Sequence, residues 1–147
     1  MNLKGASPMK AVTWQGKQKM EIRNVDDPKI LEPTDAIIRI TATAICGSDL
    51  HLYHHGEAVL EKGYVVGHEP MGIVEEVGSQ VQTLKKGQRV VIPFNISCGH
   101  CHFCLNHMES QCDESNPDQL YGGLFGFGKL NGNHWGGQAE YLRVPYA

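Results

Sequence analysis

The chain has 147 residues, of which 41% are hydrophobic, and its 13 lysines and arginines against 16 acidic residues give a formal net charge of −3. This length suffices for one hydrophobic core, and no apolar run reaches the roughly 18 residues that a membrane-spanning helix needs. The sequence therefore predicts one soluble domain that does not associate with a membrane.

Short runs rich in β-branched residues recur along the chain, with turn residues between them. They lie at 9–14, 20–25, 36–44, 72–77, 88–93 and 138–144. Gln15-Gly16-Lys17 separates the first two runs at hairpin distance. Helical pattern is scarce, and the one short helix expected runs from Ser48 to Tyr53, with Ser48 or Asp49 as its cap. The pattern predicts a mainly β domain.

Two loops in the first half of the chain offer metal-binding side chains. Cys46 lies in the segment ICGSDLHLY, and His68 lies in the tripeptide GHE. A thiolate and an imidazole suit zinc, but a catalytic zinc takes three protein ligands and keeps a fourth position for water or substrate. Only two ligands are evident, so a small core cysteine and a hydrogen-bonded histidine remain an open alternative.

Four of the five cysteines lie in one short segment, CGHCHFCLNHMESQC. Their spacing, Cys98-x2-Cys101-x2-Cys104-x7-Cys112, lets four thiolates converge on one tetrahedral centre, as structural zinc requires. Disulfides are the alternative, but they are typical of secreted chains with an even cysteine count. An odd count, and a start (MNLKGASPMK) without the apolar core of a signal peptide, favour zinc in a reducing, cytoplasmic compartment.

The surroundings of these cysteines argue against nucleic-acid binding. Residues 95–116 contain three acidic residues but no lysine or arginine, whereas zinc ribbons and fingers that hold nucleic acid need a cationic face. His100, His102 and His107 also lie here. Four thiolates already fill a tetrahedral shell, so we expect these histidines to be spectators.

The segment YGGLFGFGKLNGNHWGG, at 121–137, has seven glycines and superficially suggests a phosphate-binding loop. Gly123-x4-Gly128-Lys129 matches most of a Walker A pattern, but Leu130 stands where Ser or Thr must reach magnesium. The segment is therefore predicted to be a glycine-rich surface loop. His134 within it receives no role.

Five ordered segments resemble the N-terminal, GroES-like catalytic domain of the zinc-dependent medium-chain alcohol dehydrogenases. They are ICGSDLH (45–51), GHEPMGIVEEVG (67–78), GQRVVIP (87–93), the cysteine segment (98–112) and GGQAEYLRVP (136–145). The closing GGQAEYLRVPYA is most similar to the bacterial formaldehyde dehydrogenase branch. The resemblance implies a mainly β, GroES-like, partly open β-barrel with short helices and a protruding zinc-binding loop.

The resemblance also implies two zinc sites. Cys46 and His68 would bind a catalytic zinc, and Glu69 would lie close enough to coordinate it transiently. The alternative for Glu69 is a buried carboxylate paired with an arginine. The four clustered cysteines, Cys98, Cys101, Cys104 and Cys112, would hold a structural zinc that takes no part in the reaction.

A proton relay is the second implication of the resemblance. Asp49 would accept a hydrogen bond from the ligand histidine and fix its tautomer. Ser48 would accept the proton of the substrate alcohol and pass it, through the cofactor ribose, toward His51. Helix caps and a solvated histidine are the plainer alternatives for these three residues. His54 and His55 are expected at the surface.

The implied activity is oxidation of an alcohol or a small aldehyde hydrate, by hydride transfer to NAD or NADP, with zinc polarising the substrate oxygen. A non-enzymatic, zinc-stabilised β module that binds a partner through its glycine and cysteine loops is the alternative. A quinone reductase relative without zinc shares the fold, but Cys46, His68 and the cysteine cluster argue against it.

No dinucleotide-binding fingerprint occurs within the chain. The third ligand to the family's catalytic zinc falls beyond the position that matches Ala147. The resemblance therefore leads us to expect that these residues are the GroES-like part of a longer, homo-oligomeric enzyme. We expect them to lack dehydrogenase turnover without the Rossmann domain.

Overall fold

The computed structural model describes residues 8–117 and 121–147. Strands dominate this part of the chain, which confirms the prediction of a mainly β domain. The regular elements are β1 (Met9–Gly16), β2 (Lys19–Val25), β3 (Ala36–Thr43), α1 (Gly47–His55), β4 (Pro70–Val77), β5 (Arg89–Val91), α2 (His102–Leu105) and β6 (Tyr141–Val144). Short 3-10 turns lie at Gly56–Ala58, Glu109–Gln111 and Lys129–Asn131. The predicted domain of 1–147 also takes in residues 1–7 and 118–120, which lie outside the described residues.

The strands form two open antiparallel sheets. One is the hairpin of β1 and β2, and the other has the order β5-β4-β3-β6. Isolated bridges from Ala11 to Ala139 and from Thr13 to Val65 attach the hairpin to the rest of the molecule. The hairpin turns where Gln15-Gly16-Lys17 predicted it, because Gly16 (φ +140°) and Gln18 (φ +56°) take the positive φ values of a tight turn.

The buried apolar side chains form two clusters, although the sequence led us to expect one core. The first cluster joins the four-stranded sheet to later loops and contains Ala36, Ile38, Val74, Ile92, Ile96, Phe125 and Leu142. The second contains Trp14, Leu52, Leu60, Tyr64 and Val66, and it holds helix α1 against the hairpin. Helix α1 is therefore fixed through its buried Leu52.

Helix α1 is longer than predicted, and its cap is a different residue. It begins at Gly47, and its N-cap is Cys46. Ser48 and Asp49 lie inside the first turn, so the prediction that one of them is the N-cap was wrong. Asp49 still serves the helix start, because its Oδ2 accepts a hydrogen bond from the Cys46 N–H at 2.8 Å.

The glycine-rich segment is not the surface loop that its composition predicted, since most of its glycines are buried. A Cβ atom on Gly126 would lie 2.6 Å from the carbonyl oxygen of Gly67, and one on Gly136 would overlap the backbone of Val66 and Gly67. Glycine is therefore required for a close approach of two backbones. The segment packs against the residue that precedes His68.

Within residues 8–117 and 121–147, no helix has both the length and the apolar character that crossing a bilayer demands.

Candidate functional site

The pairing of β3 with β4 brings the two predicted metal-binding loops together. The strands are antiparallel, and Thr43 at the end of β3 lies opposite Pro70 at the start of β4. Cys46 follows three residues after this pair, and His68 precedes it by two. A hydrogen bond of 3.3 Å from the Ala44 N–H to the Glu69 carbonyl extends the pairing toward both side chains. The register of one strand pair thus decides that these loops share a site.

The ligand atoms of Cys46, His68 and Glu69 all lie within 4.8 Å of one another. Ser48 joins them, because its Oγ lies 3.1 Å from Nε2 of His68. Sulfur, imidazole nitrogen and carboxylate oxygen are the three ligand types that zinc accepts. The donor set and its spacing therefore fit a zinc ion.

Asp49 contacts both metal-binding loops of this site. Its Oδ2 accepts the Cys46 N–H, and its Oδ1 lies 3.2 Å from Nδ1 of His68, although the approach is bent away from hydrogen-bond geometry. Both side chains are buried, and neither of these two facing atoms has a hydrogen-bond partner among the described residues. A carboxylate facing Nδ1 favours a proton on that nitrogen and leaves Nε2 free for a metal.

Cys46 is predisposed to the thiolate form. The hydrogen bonds that its sulfur receives from the side chain and the backbone of Ser48 lower the pKa of the thiol, and a hydrogen bond from His68 acts in the same direction. Since the thiolate is the form that binds metal, the local hydrogen bonds support coordination.

Glu69 is exposed to solvent. It forms no ion pair with an arginine among the described residues. The alternative of a buried, arginine-paired carboxylate was therefore wrong. Its carboxylate instead borders the open side of the three-residue group, where a ligand could be exchanged.

The remaining predicted site residue, His51, lies one turn after Ser48 on helix α1 and is exposed. His54 and His55 are exposed as predicted. The helix therefore starts at the candidate metal group and ends at the protein surface.

Two phenylalanine rings beside His68 were missed from the sequence. The ring of Phe127 lies 4.8 Å from the imidazole centroid, and that of Phe94 lies 6.4 Å away in an edge arrangement. Phe94 is 51% exposed although it is a large apolar residue. Apolar rings around a polar group are typical of small-molecule clefts. No local pattern marks them, because both come from loops that only the fold brings to His68.

The four clustered cysteines also converge, with all four sulfurs within 4.8 Å of one another. The Sγ atoms of Cys98 and Cys104 are 3.9 Å apart, and so are those of Cys101 and Cys112. A tetrahedral zinc with Zn–S bonds of about 2.3 Å places its sulfurs about 3.8 Å apart. All are free thiols, so the disulfide alternative was wrong and the spacing fits zinc.

Backbone amides surround this sulfur cluster. Cys98 Sγ accepts hydrogen bonds from the N–H groups of His100 at 3.4 Å and Cys101 at 3.3 Å, and Cys112 Sγ accepts one from Cys98 at 3.3 Å. The Cys101 sulfur accepts the Cys104 N–H, which caps helix α2. Such amides stabilise thiolates, so the loop is organised around negative sulfur.

Without a cation the four sulfurs could not all ionise. Burial raises the pKa of Cys104 to about 12 and also raises that of Cys98. Burial acts against ionisation at Cys112 as well, but hydrogen bonds from the Cys98 amide and from Ser115 lower its pKa to about 7. Adjacent thiolates in one small volume require a bound cation.

The three neighbouring histidines stay outside the cluster, as expected. His100, His102 and His107 are exposed, and the His107 side chain is 94% exposed.

His134, which the sequence left without a role, ties the cysteine loop to the glycine-rich segment. Its Nε2 donates to the Ser115 carbonyl at 2.9 Å, and its own carbonyl accepts the Tyr64 hydroxyl. Burial lowers the pKa of the imidazole. The side chain is therefore a structural donor between two loops.

The sequence model of the alcohol dehydrogenase GroES-like domain matches residues 32–147. The chain belongs to the zinc-dependent medium-chain alcohol dehydrogenases. This confirms the family resemblance of the five ordered segments.

Relatives of the family match almost the whole chain. It is 59% identical over 139 residues to the uncharacterized zinc-type alcohol dehydrogenase-like protein AdhB of Bacillus subtilis, covering 95% of this chain and 37% of that protein. It is 40% identical over 145 residues to a glutathione-independent formaldehyde dehydrogenase of Pseudomonas aeruginosa, covering 94% of this chain and 35% of that protein. The chain therefore spans little more than a third of the length of these curated relatives.

Solved structures agree with the fold. The alcohol dehydrogenase TADH from Thermus sp. ATN1 superposes with a TM-score of 0.85 at 43% identity, over 94% of this chain and 38% of that one. A zinc-binding dehydrogenase from Sinorhizobium meliloti 1021, solved with NADP, superposes with a TM-score of 0.72 at 36% identity, over 95% and 37%. Both matches support the GroES-like assignment.

Proposed function

We propose that the whole protein is a zinc-dependent dehydrogenase that oxidises a small alcohol or an aldehyde hydrate, with NAD or NADP as the hydride acceptor. The observation that carries this proposal is the convergence of Cys46, Ser48 and His68 from two separate loops. A non-enzymatic zinc-stabilised module would need the four-cysteine cluster alone. Nothing in such a module would require a second group of metal-binding side chains beside a serine hydroxyl.

In this proposal Cys46 and His68 would hold the catalytic zinc, and Glu69 lies close enough to coordinate it transiently. Bound there, zinc would supply Lewis-acid polarisation of the substrate oxygen. Asp49 orients the imidazole and the Cys46 backbone from the buried side of the site. The exposed Glu69 leaves the opposite side open to a substrate.

Ser48 and His51 are the proposed path for the proton. The Ser48 hydroxyl lies against Nε2 of His68, where a substrate oxygen beside the metal ligands would be within its reach. His51 lies one turn further along α1 and is exposed, so it can exchange a proton with solvent. The cofactor ribose would lie between them. Phe94 and Phe127 place an apolar wall beside His68.

A second zinc would be structural. Cys98, Cys101, Cys104 and Cys112 present four sulfurs at tetrahedral spacing and leave no position for a substrate. This zinc would hold the protruding loop in shape.

The similar proteins support particular choices of substrate and cofactor. The formaldehyde dehydrogenase similarity supports a small aldehyde hydrate as substrate, and the NADP-bound structure supports a nicotinamide dinucleotide. Five free cysteines are typical of a reducing compartment, so we place the protein in the cytoplasm. We propose a homo-oligomer by analogy with the family alone.

Cobalt substitution tests the proposed site. We expect native mass spectrometry to find two metal ions per chain, and small alcohols to shift the visible Co²⁺ spectrum. Cys46→Ser should abolish the shift and leave one ion, whereas Cys104→Ser should retain the shift. A Cys46→Ser variant that still binds two ions and still responds to alcohol would refute the proposal.

A further inference from the structure

Helix α1 presents a pair of histidines that the proposed dehydrogenase site does not need as metal ligands. His51 and His55 are separated by four residues, so they lie one above the other on the same helix face. Both are exposed, whereas Asp49 and Leu52 mark the buried face. Neither imidazole has a hydrogen-bond partner among residues 8–117 and 121–147.

Two histidines at this spacing on a helix form a chelating pair, because side chains four residues apart have Cβ atoms about 5 to 6 Å apart. Neutral imidazole nitrogen is a good ligand for zinc, nickel and copper. We infer that His51 and His55 form a surface binding site for a divalent transition-metal ion, distinct from both cysteine-containing sites.

The charge around the pair favours a cation. Helix α1 has the sequence GSDLHLYHH, without lysine or arginine, and it ends at His55. The carbonyl groups at a helix C-terminus carry partial negative charge, which stabilises a cation there. Lys17, from the hairpin turn packed beside this helix end, is paired with Glu57 at 3.9 Å. Its charge is thereby partly offset.

His54 provides a matched control because it has the same chemistry and a neighbouring position but is already engaged. Its Nδ1 lies 2.9 Å from the side-chain nitrogen of Gln18, and its ring packs edge-on against Tyr53. The hairpin turn therefore holds this imidazole. The His55 ring lies 6.1 Å from the His54 ring, but neither His51 nor His55 has a hydrogen-bond partner among the described residues, so both imidazoles are free to turn toward one ion.

The pair needs only its exposure and spacing, so it stands independently of the proposed dehydrogenase activity. Nevertheless, an ion bound there would occupy the same His51 imidazole that the proposed relay uses. Binding is therefore measured directly and not through turnover, which separates a failure of this site from a failure of the relay.

The experiment uses the untagged full chain, first saturated with zinc so that the cysteine sites are filled, and then titrated with Ni²⁺. Paramagnetic Ni²⁺ broadens the amide resonances near its site in a ¹H–¹⁵N spectrum. We expect broadening centred on residues 51–55. His55→Gln and His51→Gln should each weaken Ni²⁺ binding by at least about tenfold, because each removes one of two ligands.

His54→Gln should change the affinity less than about twofold, as a substitution outside the ligand pair. Unchanged spectra elsewhere in the variants will show that the fold is intact. Broadening centred on His100, His102 or His107, equal Ni²⁺ affinity in His55→Gln and the unmodified chain, or a loss in His54→Gln as large as in His55→Gln would overturn the His51–His55 site.

Discussion

At the scale of single residues, Asp49 does more than the sequence could indicate. As a carboxylate near the start of a predicted helix it suggested either a cap or a partner for the ligand histidine. In the structure Asp49 is not the N-cap, but it serves both the helix start and the histidine, since one oxygen accepts the Cys46 N–H and the other faces the His68 imidazole. One buried carboxylate thus fixes both loops of the candidate metal site.

Asp49→Asn tests this dual role. The amide keeps the shape and the acceptor for the Cys46 N–H, but it removes the negative charge beside His68. We expect zinc affinity at the Cys46–His68 site to fall about 10- to 100-fold, while the four-cysteine site is unaffected. Competition against a chromophoric chelator would resolve two zinc affinities in the unmodified chain. In Asp49→Asn only the affinity of the Cys46–His68 site should be lower. If both sites keep their affinity, Asp49 contributes to the helix alone.

His134 predicts a dependence of stability on pH. Burial lowers its pKa in the folded chain, so the unfolded chain binds a proton more readily. The stabilisation is therefore present above the unfolded pKa of about 6.5 and is lost as the pH falls through the lower, folded pKa.

His134→Gln should flatten the fall in the free energy of unfolding below pH 6.5, by at most about 1.4 kcal/mol per pH unit. Urea denaturation at fixed zinc content measures the free energy of unfolding at each pH. Zinc is assayed at each pH so that metal loss is not mistaken for proton uptake. Parallel profiles for the variant and the unmodified chain would contradict the prediction.

At the scale of elements, the runs of β-branched residues predicted all six strands, because a short β-branched run between turn residues is a local signal. Strand ends were less predictable: β4 begins at Pro70, two residues before the run at 72–77. The glycine-rich segment was misjudged for a related reason. Gly126 and Gly136 are required by the backbone of Gly67, and no property of the segment itself reveals that distant partner.

Gly136→Ala tests the packing of that segment. Its added methyl group would overlap the backbone of Val66 and Gly67, so we expect a destabilisation of about 3 kcal/mol. Gly47→Ala is the control, because its methyl group meets nothing within 4 Å and alanine favours a helix. The stabilities of the two variants are compared by their urea denaturation midpoints at saturating zinc. Equal midpoints would mean that the backbone of the His68 loop can move aside.

At the scale of the whole molecule, the residues on either side of the cysteine loop attach it to the rest of the fold. Ile96, just before it, is buried in the cluster of the four-stranded sheet, and its N–H donates to Gly123. Ser115, just after it, is buried and accepts the Gly123 N–H at 2.7 Å. The cysteine spacing predicted the metal site because ligand geometry is encoded locally. The anchors are contacts across the chain, so the spacing could not predict them.

This arrangement leads to a last prediction, for removal of zinc. The segment from Cys98 to Cys112 lies between the anchors and is organised around its sulfurs, so it should lose its structure when the metal leaves. The anchor Ile96 belongs to the buried cluster of the four-stranded sheet, so β3 and β4 should persist. Hydrogen exchange after chelation should therefore show lost protection at the amides of Cys101 and Cys104, with protection retained at Ile38. Cys46→Ser, which retains the structural site alone, should respond identically. Loss of protection at Ile38 would show instead that the fold of the sheet depends on the zinc.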